Sequence, residues 1–221
     1  MSSTIELIPA ILVKDRKELL KRINAVSAHV NIIQIDIMDG IFVPNKTIGI
    51  DELHDLPQAN YEFHWMVKDP VNWILGTRNL KGNHMHLVHI ETILSSNSFA
   101  EVKRAVENVG GRLGLAINPE TPLERVLPFI DQVEEVLVMT VHPGFSGQKY
   151  IHEMEKKIKH LRNAYSLLNI EVDGGIDLST IDHASNAGAN FFAAASSIFS
   201  SGTIKDNVRQ LKEAAAGGRS S

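Results

Sequence analysis

Two aspartates stand out at the ends of strand-like runs, where a carboxylate can meet a cation or a bound substrate. Asp36 ends the run Ile32-Ile33-Gln34-Ile35-Asp36, and Asp173 ends Asn169-Ile170-Glu171-Val172-Asp173. In a strand, alternate side chains share a face, so Gln34, Asp36 and Met38 point one way and Ile33, Ile35 and Ile37 the other. The isoleucine face should meet helices. The same parity groups Glu62 with His64 and Met66, and Glu171 with Asp173. A carboxylate at the end of an inward row is costly to bury without a partner, and a cation or a bound substrate would supply one. The competing role for Asp36 is to cap the loop through Asp39 or Gly40. Two aspartates and a histidine at matching heights on different strands can converge on one divalent cation, with the neutral imidazole and the carboxylates as ligands. Taken singly, His64 reads as a hydrogen-bonded core histidine.

A second constellation is built from small residues. Gly144 and Gly147 follow the strand that contains Met139, Gly174 and Gly175 follow Asp173, and Ser196 and Ser197 follow the last strand. Glycines let backbone N–H groups approach an anion, and the loops after late strands are where parallel barrels hold phosphate. Of the ten histidines, His29, His54, His152, His160 and His183 fall in helix or loop patterns and read as surface residues. His84, His86, His89 and His142 lie nearer the presumed site. Asn118 and Pro119 mark a rigid turn after the fifth strand.

These groups need a frame that brings many strand ends together. Strand patterns cover residues 5–12, 32–37, 61–67, 85–90, 112–117, 135–141, 169–173 and 190–195. Helical patterns occupy 16–27, 71–79, 99–109, 123–130, 151–168, 179–187 and 204–215, and only the crossover at 40–60 is irregular, with at most a short helix. Alternation of this kind predicts a parallel sheet covered by helices, and eight strands predict a closed (β/α)8 TIM barrel. The rival, an open doubly wound sheet, lacks a G-x-G-x-x-G after an early strand. The 221 residues suit one domain, residues 1–213, with a low-complexity tail at 214–221 that reads as disordered.

Composition narrows the partners. A net charge of -4 leaves no basic stripe for a nucleic-acid backbone. No run approaches the ~20 apolar residues of a membrane span. The chain has no cysteine, which excludes disulfides and thiolate metal sites, and its first residues do not read as a signal peptide; both fit a cytoplasmic protein. A small molecule is the expected partner, and a homo-oligomer is compatible with all of this.

Four motifs carry a resemblance: Ile35-Asp36-Ile37-Met38-Asp39-Gly40-Ile41-Phe42-Val43-Pro44-Asn45, Phe63-His64-Trp65-Met66-Val67, Val138-Met139-Thr140-Val141-His142-Pro143-Gly144-Phe145-Ser146-Gly147-Gln148 and Glu171-Val172-Asp173-Gly174-Gly175. Over roughly residues 5–200 the chain resembles the ribulose-phosphate 3-epimerases. The resemblance implies 3-epimerisation of ribulose 5-phosphate and xylulose 5-phosphate through an enediolate, with a divalent cation: zinc, iron, manganese or cobalt. By motif, Asp36 and Asp173 become the acid/base pair and, with His64, metal ligands. Met38, Met66 and Met139 would line the enediolate. Phosphate would rest on backbone amides around Gly144, Phe145, Ser146, Gly147, Gly174, Gly175, Ser196 and Ser197.

The chain departs from that pattern at four positions. Gln34 stands where the family has a metal-binding histidine, and its amide oxygen becomes a candidate ligand. Ala10 replaces a serine in the first strand, Ser146 a glycine, and Ala195 the glycine before the phosphate-binding serine. Two other readings compete: a non-catalytic phosphosugar-binding barrel, and a decarboxylase or aldol-type synthase. The latter class resembles Asp-x-Lys-x-x-Asp at a strand end, where this chain has Met38 instead of lysine.

Overall fold

In the computed structural model, which describes residues 4–217, eight parallel strands close into a barrel in the order β1 to β8. They are β1 (Glu6–Ile11), β2 (Ile32–Met38), β3 (Asn60–Met66), β4 (Met85–His89), β5 (Arg112–Ile117), β6 (Glu135–Met139), β7 (Asn169–Asp173) and β8 (Phe191–Ala194). Closure comes from β1 pairing with β8, Glu6 opposite Phe191. The expected (β/α)8 architecture is therefore present in a single domain.

The helices are α1 (Arg16–Val26), α2 (Pro70–Gly76), α3 (Ser96–Asn108), α4 (Glu155–Ala164), α5 (Ile181–Ala187), α6 (Ser196–Phe199) and α7 (Ile204–Gly217). Local chemistry sets their ends. The Asp15 side chain accepts from the Glu18 amide at 2.9 Å and so starts α1. Gly188, at φ +116°, ends α5. Leu19, Ile23 and Val26 of α1 are fully shielded, and burying such side chains contributes about 1.5–3 kcal/mol each.

The isoleucine face of β2 packs as expected. Ile33, Ile35 and Ile37 join the layer between barrel and helices, whereas Met85, Leu87, Leu137 and Met139 form a separate cluster inside the barrel. Register fixes what the interior shares: Gln34 lies opposite Glu62, Asp36 opposite His64 and Met38 opposite Met66.

Three expectations change. Residues 123–130 form two 3-10 segments, Leu123–Arg125 and Leu127–Gln132, because Pro128 brings no N–H to a continuous α-helix. Only a 3-10 turn, His152–Met154, precedes α4, and Ala164 closes that helix. Finally, 214–217 belong to α7 instead of a tail: Ala215 is buried and its carbonyl accepts from the Ser185 hydroxyl at 2.6 Å. Residues 218–221 lie outside the described residues.

Candidate active site

At the C-terminal mouth of the barrel a cavity is walled by β1, β2, β3, β6, β7 and β8. Asp36 from β2, His64 from β3 and Asp173 from β7 meet at its floor, with a donor atom of each within 4.8 Å of the others. His64 Nδ1 lies 3.1 Å from Asp36 Oδ1 and 3.4 Å from Asp173 Oδ2. Gln34 sits beneath them, fully buried. Its Nε2 donates to Asp36 Oδ1 at 2.7 Å and to Asp173 Oδ2 at 2.8 Å, and lies 3.4 Å from His64 Nδ1. Gln34 Oε1 is buried and has no hydrogen-bond partner among the described residues.

The electrostatics of this cluster follow from burial set against charge. Burial pushes the Asp36 carboxyl above its ordinary range and the Asp173 charge adds to that, while hydrogen bonds from His64 and Gln34 oppose it. Burial alone would depress His64, but its bonds to Asp173 and Asp36 outweigh burial and hold it up to about 9. The His64 ring and the Gln34 amide thus face the two carboxylates as their hydrogen-bonding partners.

Backbone positions are pinned from outside the cavity. The Thr47 hydroxyl donates to Asp36 O at 2.8 Å and accepts from the Met38 amide at 2.8 Å. Thr140 N donates to Asp173 O at 2.8 Å, and its hydroxyl donates to Gly174 O at 2.6 Å. Loop capping falls to Asp39, which accepts from the Ile41, Phe42 and Lys68 amides at 2.7–2.8 Å. That leaves Asp36 to the site.

Other expected groups gather above the floor. Met38, Met66 and Met139 line the walls. Gly144, Phe145, Ser146 and Gly147 line the cavity from the segment after β6, Gly174 and Gly175 from the segment after β7, and Ser196 from the segment after β8. Gly144, Gly147, Gly174 and Gly175 have φ of +126°, +81°, +118° and +65°, in the region that favours glycine. Ser197 stands apart from the lining, and its hydroxyl donates to Ile176 O at 2.7 Å.

Sequence reasoning leaves His89 ambiguous and does not single out Glu91. His89 Nε2 lies 2.9 Å from His64 Nε2, and His89 Nδ1 lies 3.2 Å from Glu91 Oε2. Burial would raise Glu91, but bonds from His89 and from Thr121 and Asn118 hold its carboxyl down to about 2. The chain of bonds closes if His64 donates to His89 and His89 donates to Glu91. His89 continues the inward parity of Met85 and Leu87, which is the signal that could have found it.

Comparison with known proteins decides the lineage. The sequence profile of the ribulose-phosphate 3-epimerase family matches residues 6–199. The chain belongs to that family. It is 40% identical over 193 residues to a protein of Oryza sativa subsp. japonica named ribulose-phosphate 3-epimerase, cytoplasmic isoform, covering 84% of this chain and 82% of that one. It is also 38% identical over 208 residues to the ribulose-phosphate 3-epimerase of Methanocaldococcus jannaschii, covering 90% and 85%. The Bacillus subtilis enzyme of that name is 31% identical over 217 residues, covering 94% and 98%. Membership makes the chain an isomerase of the carbohydrate epimerase class.

Solved structures of lower identity share the barrel. KGPDC from Streptococcus mutans superposes with a TM-score of 0.75 at 11% identity, over 96% of this chain and 98% of that one. The 3-hexulose-6-phosphate synthase of Salmonella typhimurium gives 0.74 at 14%, over 97% and 100%. At such identities the likeness is one of fold alone. The departures from the epimerase pattern sit at the site itself: Ala10, Ser146 and Ala195 line the cavity and Gln34 lies under it.

Proposed function

We propose that this enzyme epimerises a ketose phosphate at carbon 3, interconverting D-ribulose 5-phosphate and D-xylulose 5-phosphate, with Asp36 and Asp173 as the acid/base pair. The observation that carries the reading is the convergence of these two aspartates, from strands on either side of β1 and β8, on the buried His64. Inversion needs one group to remove a proton beside the ketone and another to return one on the opposite face. The raised proton affinity of Asp36 suits a carboxyl that must hold a proton and give it up.

The residues present fit a divalent cation. Donors at zinc-ligand distance around a tetrahedral centre lie roughly 3.3 Å apart, and His64 Nδ1 lies 3.1 Å from Asp36 Oδ1 and 3.4 Å from Asp173 Oδ2. The partnerless Gln34 Oε1 supports the same fit, because rotating the amide end for end turns this oxygen toward the carboxylates, where only a cation makes it favourable. Asp36, His64 and Asp173 would then hold the ion, with Gln34 Oε1 as the fourth donor. When bound, the cation supplies Lewis-acid stabilisation of the negative charge that develops on the oxygens beside carbon 3.

The remaining groups position the substrate. Met38, Met66 and Met139 wall the space for the planar enediolate with apolar side chains and keep water off it. Backbone amides around Gly144 to Gly147, Gly174, Gly175 and Ser196, all of which line the cavity, would hold the phosphate, while Ser197, expected there too, lies outside the lining. The His89–Glu91 pair orients His64 from behind. A cytoplasmic setting accords with the Oryza sativa relative's name, and among the described residues no helix is long and apolar enough to cross a membrane.

Asp36→Asn and Asp173→Asn test the assignment. Each should lower epimerisation by at least ~100-fold while binding of the phosphate ester partly persists. Near-wild-type turnover in either variant would show that the pair is wrong. Binding of ketose phosphates by the wild type with no turnover under any cation would favour a non-catalytic binding barrel instead.

A further inference from the structure

Two histidines expected on the surface are indeed exposed, yet they converge. His152 opens the 3-10 turn before α4, Glu155 is the first residue of α4, and His183 lies in the first turn of the neighbouring helix α5. His152 Nδ1 is 2.9 Å from Glu155 Oε1. The rings of His152 and His183 meet edge to face with centroids 5.3 Å apart, and one donor atom from each of the three residues lies within 4.8 Å of the others. None of the three lines the catalytic cavity.

Two exposed imidazoles gain little from touching each other in water. Together with a carboxylate they form a different object: two neutral nitrogen donors and one oxygen, a set that binds zinc with water in the fourth position. Imidazole-rich sites favour zinc, copper or nickel over magnesium or calcium, which prefer all-oxygen shells. We propose that His152, Glu155 and His183 form a second, solvent-accessible site for a borderline divalent cation, zinc by preference, separate from the aspartate centre in the barrel.

The position gives such an ion mechanical leverage. His152 lines a groove that continues from the cavity past Gly147, Gly175 and Ser196. Its ring meets that of Tyr150 edge to face at 5.1 Å, and the Tyr150 backbone packs so closely on Gly175 that an added Cβ there would lie 2.6 Å from Tyr150 N. One ligand pair therefore belongs to the segment that follows Gly144 and Gly147, and the third ligand to the segment that follows Gly174 and Gly175. An ion bridging them ties together the two halves of the glycine-lined wall.

Equilibrium dialysis of tag-free, full-length protein against zinc, with the bound metal counted, tests this. His152→Ala and His183→Ala change exposed side chains. Each should remove one bound zinc per chain or weaken it by at least ~10-fold, and each should abolish the part of the zinc-dependent rise in melting temperature that comes from joining α4 to α5. Asp173→Asn should leave this zinc in place. Because the count drops by one whether or not the barrel centre retains zinc, failure here is distinguishable from failure of the epimerase reading. Unchanged zinc count and affinity in His183→Ala would overturn the proposal, as would displacement of this zinc by excess magnesium.

Discussion

Replacing Gln34 with histidine should tighten zinc binding to the barrel centre by roughly 10- to 100-fold. Gln34 Nε2 donates to both Asp36 and Asp173, so a cation held between these carboxylates must displace two hydrogen bonds to charged groups. Such bonds contribute about 1.5–3 kcal/mol each. A histidine ring presents one nitrogen to the centre and so keeps at most one of them, which leaves about 1.5–3 kcal/mol less to displace, or one to two decades in affinity. Its nitrogen also suits zinc better than an amide oxygen does, so the preference for zinc over manganese should widen. Gln34→Ala removes the fourth donor and should weaken whichever metal the wild type holds. The assay is competition between apo-protein and a chromophoric chelator, for zinc and manganese, in all three forms. Indistinguishable affinities across the series would refute the reasoning and place Gln34 outside the metal site.

Gly175→Ala forces a side chain onto a residue at φ +65° whose Cβ would meet Tyr150 N at 2.6 Å, with backbone on both sides of the clash. The expected cost is ~2 kcal/mol or more, read as a melting temperature lower by several degrees, with KM for the phosphorylated sugar raised more than metal content is altered. A variant with wild-type melting and KM would contradict the close-approach argument. Glu135 carries the pH prediction. Burial, the first cause, raises its carboxyl in the folded state, so the unfolded chain loses this proton more readily and stability falls as pH rises from the ordinary carboxylate range toward the raised value. Glu135→Gln should therefore stabilise the protein more at pH 8 than at pH 5, measured by urea unfolding; a gain that shrinks as pH rises would show that Glu135 is ionised in the fold.

Much of the frame is legible because its signals are local. Period-two alternation separates Ile33, Ile35 and Ile37 from Gln34, Asp36 and Met38, and the register of β2 with β3 sets Asp36 beside His64 as that parity requires. What sequence could not give depends on closure. Glu62, Glu135 and Glu171 come from three strands and bring carboxyl oxygens within 4.8 Å of one another in the buried interior. Parity with Met139 can turn Glu135 inward and leave Glu134 to Arg112 at the surface, but it cannot say that three inward glutamates from β3, β6 and β7 meet. The Gln34 bridge between β2 and β7 and the pairing of His152 with His183 are likewise products of tertiary placement. The 3-10 segments around Pro128 depart from the expected α-helix because the apolar spacing there is helical while the proline is not.

Met38 bears on the rival chemistry. The barrels that share this fold include a hexulose-phosphate synthase, yet the residue two after Asp36 is a methionine opposite Met66, packed with Val43. An apolar wall at that position suits a planar intermediate shielded from water and offers no ammonium group for a decarboxylase-type reaction.

Proton exchange at carbon 3 by two carboxyls on opposite faces can be read from a single turnover experiment in deuterium oxide. Starting from D-ribulose 5-phosphate with the protein supplied with zinc or manganese, the xylulose 5-phosphate formed should carry deuterium at carbon 3, while unreacted ribulose 5-phosphate gains little early in the reaction. Nuclear magnetic resonance of both pools reads the result. Product that retains the original proton at carbon 3, or deuterium entering both pools equally from the outset, would contradict a two-aspartate mechanism.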